Sequence, residues 1–314
     1  MSVNSAVRVE HLIKRYGDTL ALDYFDLDVH EGEIFGLLGP NGSGKTTAIN
    51  CILALLTYSE GSISVFGEPL TPTSYDLKRR IGIVPQNVAV FDELTVAENI
   101  DYFCSLYVPD RKRRRKLVDE AIEFVGLEEF RTFRPKKLSG GLLRRLNIAC
   151  GIAHRPELIF FDEPTVAVDP QSRNSILEGI QRLNAEGATV VYTSHYMEEV
   201  EQICSRIMIM DRGESLACGT KDDLVRMVST GEKVEIEAPS LPDGTLDALG
   251  GLAFVRRVSH DGTTIHLLCD NGPHNLASIL GVLQERAVAF GRVYSEPPTL
   301  NDVFLEITGK ELRD

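Results

Sequence analysis

No apolar run in this sequence approaches the roughly 20 residues that a membrane-spanning helix needs. Unbroken ones such as Leu158-Ile159-Phe160-Phe161 are strand-sized. The opening residues, Met1-Ser2-Val3-Asn4-Ser5-Ala6-Val7-Arg8, lack the apolar core of a secretory signal. Six cysteines, at 51, 104, 150, 204, 218 and 269, include no C-x-x-C pair. The chain is also far too long to be a disulfide scaffold, so reduced and mostly buried thiols are expected. Seven histidines show no paired ligand spacing, and a zinc site is not expected. Basic residues are the minority, 33 against 46 acidic, for a net charge of −13 spread along the chain. A field of that sign disfavours nonspecific binding to nucleic acid or anionic lipid, unless a local basic patch overrides it. These absences describe an acidic, intracellular chain without a nucleic-acid partner.

What is present is ordinary for a folded protein: 43% hydrophobic and 25% charged over 314 residues. That length implies two domains, or one large domain with an appendage. Residues 5–35 alternate and read as short antiparallel strands. The run from Glu33 to Leu38 ends in glycine, as a buried strand would, and Thr46 to Leu56 has helical periodicity. Gly61 to Gly67 reads as another strand. Residues 92–150 look helical, opened by a T-x-x-E capping box at Thr95 and Glu98. Two apolar strands, Leu158–Phe161 and Ala188–Tyr192, flank a helix near Gln171–Ala185, which implies right-handed crossovers and a mainly parallel sheet. After about Thr220 the texture changes. Lys233–Glu237 alternates, Val255–Cys269 reads as a hairpin turning at Asp261-Gly262, and Asn275–Ala287 is amphipathic. A short helix, Leu300–Ile307, follows Pro297-Pro298. The expected domains are therefore 1–220 and a small α+β module, 221–314.

Gly39-Pro40-Asn41-Gly42-Ser43-Gly44-Lys45-Thr46 has the pattern G-x-x-x-x-G-K-[ST], placed between a strand and a helix as that pattern requires. Glycines let backbone N–H groups turn toward phosphate oxygens, and the helix start adds positive partial charge. Lys45 can reach β- and γ-phosphates, and Thr46 can hold Mg²⁺. Asp162 and Glu163 end the buried strand Leu158–Phe161, where α/β sheets place ligands. Two acids there are costly unless they serve an ion or a proton transfer. Asp162 suits a Mg²⁺ contact and Glu163 a base that activates water. Ser139-Gly140-Gly141 caps a helix and bares backbone donors, a second anion site that would be weak evidence alone.

Together these motifs resemble the ATP-binding subunits of ABC transporters over roughly residues 5–220. The likeness is carried by Pro40–Thr47, Leu138-Ser139-Gly140-Gly141, Phe161-Asp162-Glu163-Pro164 and Thr193-Ser194-His195, in the family's order. Within the family the chain is similar to the branch that exports drugs, lipids, polysaccharides or ions. Arg155-Pro156-Glu157-Leu158, Asp169-Pro170-Gln171-Ser172-Arg173 and Pro298–Leu305 carry that part.

The resemblance implies an α/β P-loop NTPase fold with an antiparallel β subdomain and a helical subdomain. It implies ATP and Mg²⁺, a second ATP-binding subunit (a homodimer), and integral membrane permease subunits that hold the chain at the cytoplasmic face of the membrane. It matches Gln86 to a glutamine that touches Mg²⁺ and senses the permease, and His195 to a histidine on the γ-phosphate. Tyr16 matches the aromatic that stacks on adenine, and Asp169 a residue at the dimer seam. Nucleotide contacts are then Tyr16, Gly39 to Thr47, Ser139, Gly140, Gly141 and Asp169. Lys45, Gln86, Glu163 and His195 are the catalytic set, and Thr46, Gln86 and Asp162 the metal set. Leu142 replaces the glutamine common at that position, and Thr165–Asp169 departs from the usual Ser-Gly-Leu-Asp ending, although Asp169 itself is kept. The other classes are a soluble ABC-type ATPase acting on nucleic acid or ribosomes, and a nucleotide-binding regulator without turnover. The first usually carries paired ATPase domains or a long coiled-coil insertion, and the second conflicts with Glu163 and His195 both being present. The basic run Arg111–Lys116 is expected as a solvated helix start, with anionic headgroups as its other reading. The terminal module's role, whether dimer support, regulation or docking, is left open.

Overall fold

The computed structural model describes residues 4–227, 231–270 and 275–309. By internal packing the chain divides between Thr220 and Lys221 into two compact units.

The first unit opens with a long hairpin, β1 (Ser5–Tyr16) and β2 (Thr19–His30), followed by β3 (Ile34–Leu38) and α1 (Lys45–Ile52). Next come β4 (Glu60–Val65), β5 (Glu68–Pro69), α2 (Tyr75–Lys78) and β6 (Ile81–Val84). Three helices then form an arm: α3 (Val96–Ser105), α4 (Arg111–Phe124) and α5 (Gly140–Ile152). The unit closes with β7 (Leu158–Asp162), α6 (Pro170–Ala185), β8 (Thr189–Ser194), α7 (Met197–Ile203), β9 (Arg206–Asp211) and β10 (Glu214–Gly219).

One sheet, ordered β2-β1-β4-β5, is antiparallel. The other runs β10-β9-β3-β8-β7-β6. Its inner pairings are all parallel, and only the edge strand β10 is antiparallel. Strands covered on both faces read as near-continuous apolar runs, and every residue of β3, β7 and β8 is buried, including the polar Asp162, Thr189, Thr193 and Ser194. Phe25 and Val9 of the first sheet share a core with Leu37, Phe160 and Met208 of the second and with Ile49 of α1. The helical arm has its own core, including Val96, Ile100, Val118, Leu146 and Ala149. This is the expected P-loop NTPase fold with a β subdomain and a helical subdomain.

The second unit contains α8 (Lys221–Met227), β11 (Lys233–Glu237), α9 (Thr245–Gly250), β12 (Val255–His260), β13 (Thr264–Cys269), α10 (Asn275–Glu285), β14 (Val293–Glu296) and α11 (Leu300–Thr308). Its antiparallel sheet, ordered β12-β13-β11-β14, packs Val234, Ile236, Ile265 and Leu267 against Ile279 and Leu283 of α10. The turn at Asp261-Gly262 is held by Asp261 Oδ1, which accepts from Thr263 N and Thr264 N.

Several elements differ from the sequence reading. Two 12-residue strands replace the short ones expected over residues 5–35. Register shifts, with His11 and Tyr24 at positive φ, let one long hairpin keep pairing past its irregular points. The helix expected to reach Leu56 stops at Ile52, and Ala54 sits at φ 54°. The short elements α2, α7, α8, α9 and β5 hold too few residues for a period to be read. The basic run does open α4, where Asp110 accepts from Arg113 N, Arg114 reaches Asp101, and most of the other basic heads are exposed. All six cysteines are free, and four of them are buried.

His154 is a buried polar residue that joins the end of the arm to the sheet. Its Nε2 lies 3.0 Å from the Ile81 carbonyl and its ring stacks on Tyr107 at 4.0 Å. A carbonyl only accepts, so Nε2 carries the proton, and Nδ1 has no partner. Burial pulls this imidazole down from 6.5 to about 4. With the folded value depressed, stability is fully present above pH 6.5 and is lost as pH falls toward 4, where the unfolded chain takes the proton first. The expected loss is about 3 kcal/mol across that window. Urea unfolding at stepped pH measures it, and His154→Gln should flatten the decline.

Candidate functional site

Four neighbouring parallel strands, β3, β8, β7 and β6, all point their C-terminal ends the same way. The segment after each one carries a polar residue singled out above. Lys45 and Thr46 follow β3, and His195 follows β8. Asp162 and Glu163 close β7, and Gln86 follows β6. Parallel pairing thus gathers groups that are up to 150 positions apart in the chain.

The loop before α1 needs its glycines. Gly42 and Gly44 have φ of 81° and 108°, where side chains with a Cβ are strained. A Cβ at Gly39 would collide with the Met210 carbonyl and Ser43. Ser43 N donates to Pro40 O, and Gly213 N donates to Ser43 O, fixing the curl. The Ser43 hydroxyl is buried without a hydrogen-bond partner. An unpaired buried hydroxyl is costly, and a phosphate oxygen would satisfy it.

Lys45, only 4% exposed, donates from Nζ to Gly39 O at 2.7 Å and Pro40 O at 3.1 Å. The same ammonium lies 3.2 Å from Glu163 Oε1. On its other oxygen Glu163 accepts from Gln86 Nε2 at 3.0 Å, and His195 Nδ1 stands 3.4 Å away. The His195 contact is one of charge and proximity, since Nδ1 makes no aligned hydrogen bond. Glu163 sits at φ 47°, a conformation rare for a glutamate and common where a site holds strain. Beside it, Thr46 Oγ1 and Thr193 Oγ1 donate to the two oxygens of Asp162, at 2.8 and 2.7 Å. Thr193 Oγ1 also accepts from Glu163 N at 2.9 Å.

Thr46, Asp162 and Gln86 offer a hydroxyl, a carboxylate and an amide oxygen. Such an all-oxygen set with one carboxylate suits Mg²⁺, which takes its remaining ligands from substrate phosphates and water. Among the described residues no cluster of three His, Cys, Asp or Glu could hold a metal; of the three donors named here only Asp162 is of those types.

A second group lies at the start of α5. Ser139 caps that helix by accepting from Leu142 N at 3.3 Å, and Ser139 and Gly140 are exposed. Gly141 is buried, and a Cβ there would meet Ser172 and Asp169. Asp169 caps α6 by accepting from Ser172 N at 2.9 Å, and those backbone bonds hold its carboxyl below the usual range. The fold therefore brings Gly141 beside Asp169. The contacts that join Lys45, Thr46, Gln86, Asp162, Glu163 and His195 include neither of them. Tyr16 is 48% exposed at the end of β1, with Lys14 Nζ 5.0 Å from its ring centre.

Two residues of α5 went unread in the sequence. Arg144 is buried and donates from Nη1 to Gln86 O at 2.7 Å and to Pro85 O at 3.2 Å; its Nη2 reaches Glu163 O at 3.4 Å. Burial lowers its guanidinium from the ordinary value, partly offset by Asp162 and Glu163. Asn147 accepts from Ala89 N and donates to Pro85 O. The helix that begins at Ser139 thus grips the Gln86 loop one to two turns later. Polar residues three apart on the buried face of a helix were the available signal.

With this geometry in place, comparison with known proteins is direct. The family profile described as "ABC transporter" matches residues 22–166. The linearmycin resistance ATP-binding protein LnrL of Bacillus subtilis is 37% identical over 98% of this chain and 100% of its own length. A Nod factor export ATP-binding protein I of Cupriavidus pinatubonensis is 34% identical over 100% of this chain and 94% of its own. Among solved structures, the dimeric post-hydrolysis state of the ATP-binding cassette MJ0796 with ADP and Pi aligns at TM-score 0.63 and 29% identity. It covers 68% of this chain and 98% of that one.

Proposed function

Because this chain belongs to the ABC transporter family as an ATP-hydrolysing, ATP-binding subunit, we propose that it works as a homodimer that drives export through a separate membrane permease. It would act at the cytoplasmic face of the membrane, bound there through that permease. Full-length similarity to linearmycin-resistance and Nod-factor-export subunits supports the export direction. That likeness gives no support to the reading as a soluble ATPase acting on nucleic acid or ribosomes.

The observation that carries the site assignment is the run of contacts from Thr46 through Asp162 and Thr193 to Glu163, Gln86, His195 and Lys45. We assign Gly39 to Thr47 to the phosphates of ATP and Tyr16 to its base. Mg²⁺, held by Thr46, Asp162 and Gln86, would supply charge neutralisation on the phosphates. Lys45 and His195 donate toward the γ-phosphoryl oxygens. Glu163 Oε2 takes the proton of the attacking water, and Gln86 and Thr193 fix that carboxylate and its backbone. Ser139, Gly140 and Gly141 of a second copy would close the cage, since they lie outside this chain's own contact group and Ser139 and Gly140 are exposed. Donors from both chains then stabilise the transferring phosphoryl group, and its loss weakens the clamp. Asp169, beside Gly141, sits where the two copies would meet.

Phe91, Tyr102 and Phe133 are exposed aromatics of the helical arm, and Phe91 and Tyr102 pack at 4.8 Å near the Gln86 loop. Exposed apolar patches of this kind mark partner surfaces, and we assign this one to the permease. A tagged chain recovered from native membranes should bring down a multi-span membrane protein. Tyr102→Glu should cut that recovery at least ~10-fold, the loss expected of an aromatic anchor, while leaving phosphate release by the isolated chain within two-fold. Equal recovery by both proteins overturns the assignment of the surface. No membrane protein recovered with either overturns the transporter reading.

A further inference from the structure

Glu199 is an acid with no role so far, and it is among the most buried charged groups of the chain, 3% exposed on α7. A carboxylate so far from water needs partners, and it has three hydroxyls on one oxygen. Thr165 Oγ1, Tyr192 Oη and Ser194 Oγ donate to Glu199 Oε2 at 2.8, 2.7 and 2.9 Å. On the other side Arg173 Nε stands 3.2 Å from Oε1, near enough for an ion pair though out of line for a hydrogen bond.

These partners come from different places. Thr165 belongs to the loop that runs from Glu163 to Asp169, where Val166 N bonds to Glu163 O and Val168 N to Thr165 O. Ser194 directly precedes His195, and its hydroxyl also accepts from Tyr196 N at 2.9 Å. His195 is thus bracketed by two residues fixed to one hydroxyl. The Arg173 guanidinium lies 4.9 Å over the Tyr196 ring, which packs 4.1 Å from the His195 ring. Arg173 is on the first turn of α6, the helix that Asp169 caps. One buried carboxylate therefore ties the segment of Glu163 and Asp169 to the segment of His195.

We propose that Glu199 is a positioning residue that locks the Glu163–Asp169 loop and the His195 loop into one rigid body. The γ-phosphate contact and the dimer-seam contact would then move together. Glu199 touches none of the reacting atoms and acts through Thr165 and Ser194. The proposal rests on the ATPase reading of the site above.

The test is steady-state ATP hydrolysis by the full chain carrying Glu199→Ala, Thr165→Val or Ser194→Ala. Thr165→Val keeps shape and removes one hydroxyl, and Ser194→Ala removes the other. Each is expected to lower kcat ~3–10-fold with KM for ATP within about three-fold, and Glu199→Ala ~10–100-fold, the range over which positioning errors act. The Thr165→Val and Ser194→Ala double variant should fall well short of the product of the two single losses, because both cut the same lock. Unchanged kcat in the two hydroxyl variants, or losses that multiply fully, overturns the proposal, even if Glu199→Ala does not fold. A wild-type chain without ATPase activity overturns the underlying reading instead.

Discussion

Glu163→Gln should slow ATP turnover by ~10²–10⁴-fold while leaving nucleotide affinity within a few-fold. The amide has the volume and shape of the carboxyl, so Gln86, Thr193 and the strained backbone at φ 47° are kept. What disappears is a group able to take a proton from water. With the γ-phosphoryl group no longer removed, two copies should stay joined around ATP. Phosphate release measures the first effect and gel filtration with excess ATP the second. Near-normal turnover would sink the assignment of Glu163 as base. Slow turnover without a trapped dimer would leave the base in place and remove the clamp.

The second large effect belongs to Lys45. Lys45→Ala should weaken ATP binding at least ~100-fold, since a desolvated cation on a phosphate is worth about 3 kcal/mol or more. It also acts on the protein without nucleotide. Lys45 is the cation nearest the buried Glu163, and its Nζ bridges two loop carbonyls. Removing one partner of a buried pair costs about 3–5 kcal/mol, because the other charge is left uncompensated. Pairing Lys45→Ala with Glu163→Gln should recover most of that stability and none of the ATP binding. Urea unfolding and nucleotide titration on the four members of this cycle separate the two effects. If the double variant is no more stable than Lys45→Ala, the ion pair is not what Lys45 contributes to the fold.

These expectations draw unequally on sequence and structure. The loop from Gly39 to Thr46 could be read directly, since its residues are contiguous and each acts locally, to curl the chain, bare an N–H or reach a phosphate. The acids after Leu158–Phe161 were legible because a carboxylate at the end of a wholly apolar strand contradicts its surroundings. The capping boxes are local for the same reason, and Thr299 with Asp302 completes one at the last helix. Arg144, Asn147 and Glu199 carried no comparable signal. Each is a polar residue among several on a helix, and its meaning depends on which face is buried and on what a distant segment presents there. Glu199 has acidic neighbours at 198 and 201, and nothing along the chain says which of the three is inside.

By itself the sequence determined the family, the glycine-rich loop from Gly39 to Thr46, the two acids to which we assign metal binding and proton transfer, and the change of texture near Thr220. All of these rest on short-range patterns: period, turn chemistry and contiguous motifs. Only the tertiary structure decided that Lys45 pairs with Glu163, that α5 holds the Gln86 loop through Arg144, and that Glu199 joins two loops. Those are long-range choices, made when parallel pairing aligns four strand ends and burial obliges each polar group left inside to find a partner.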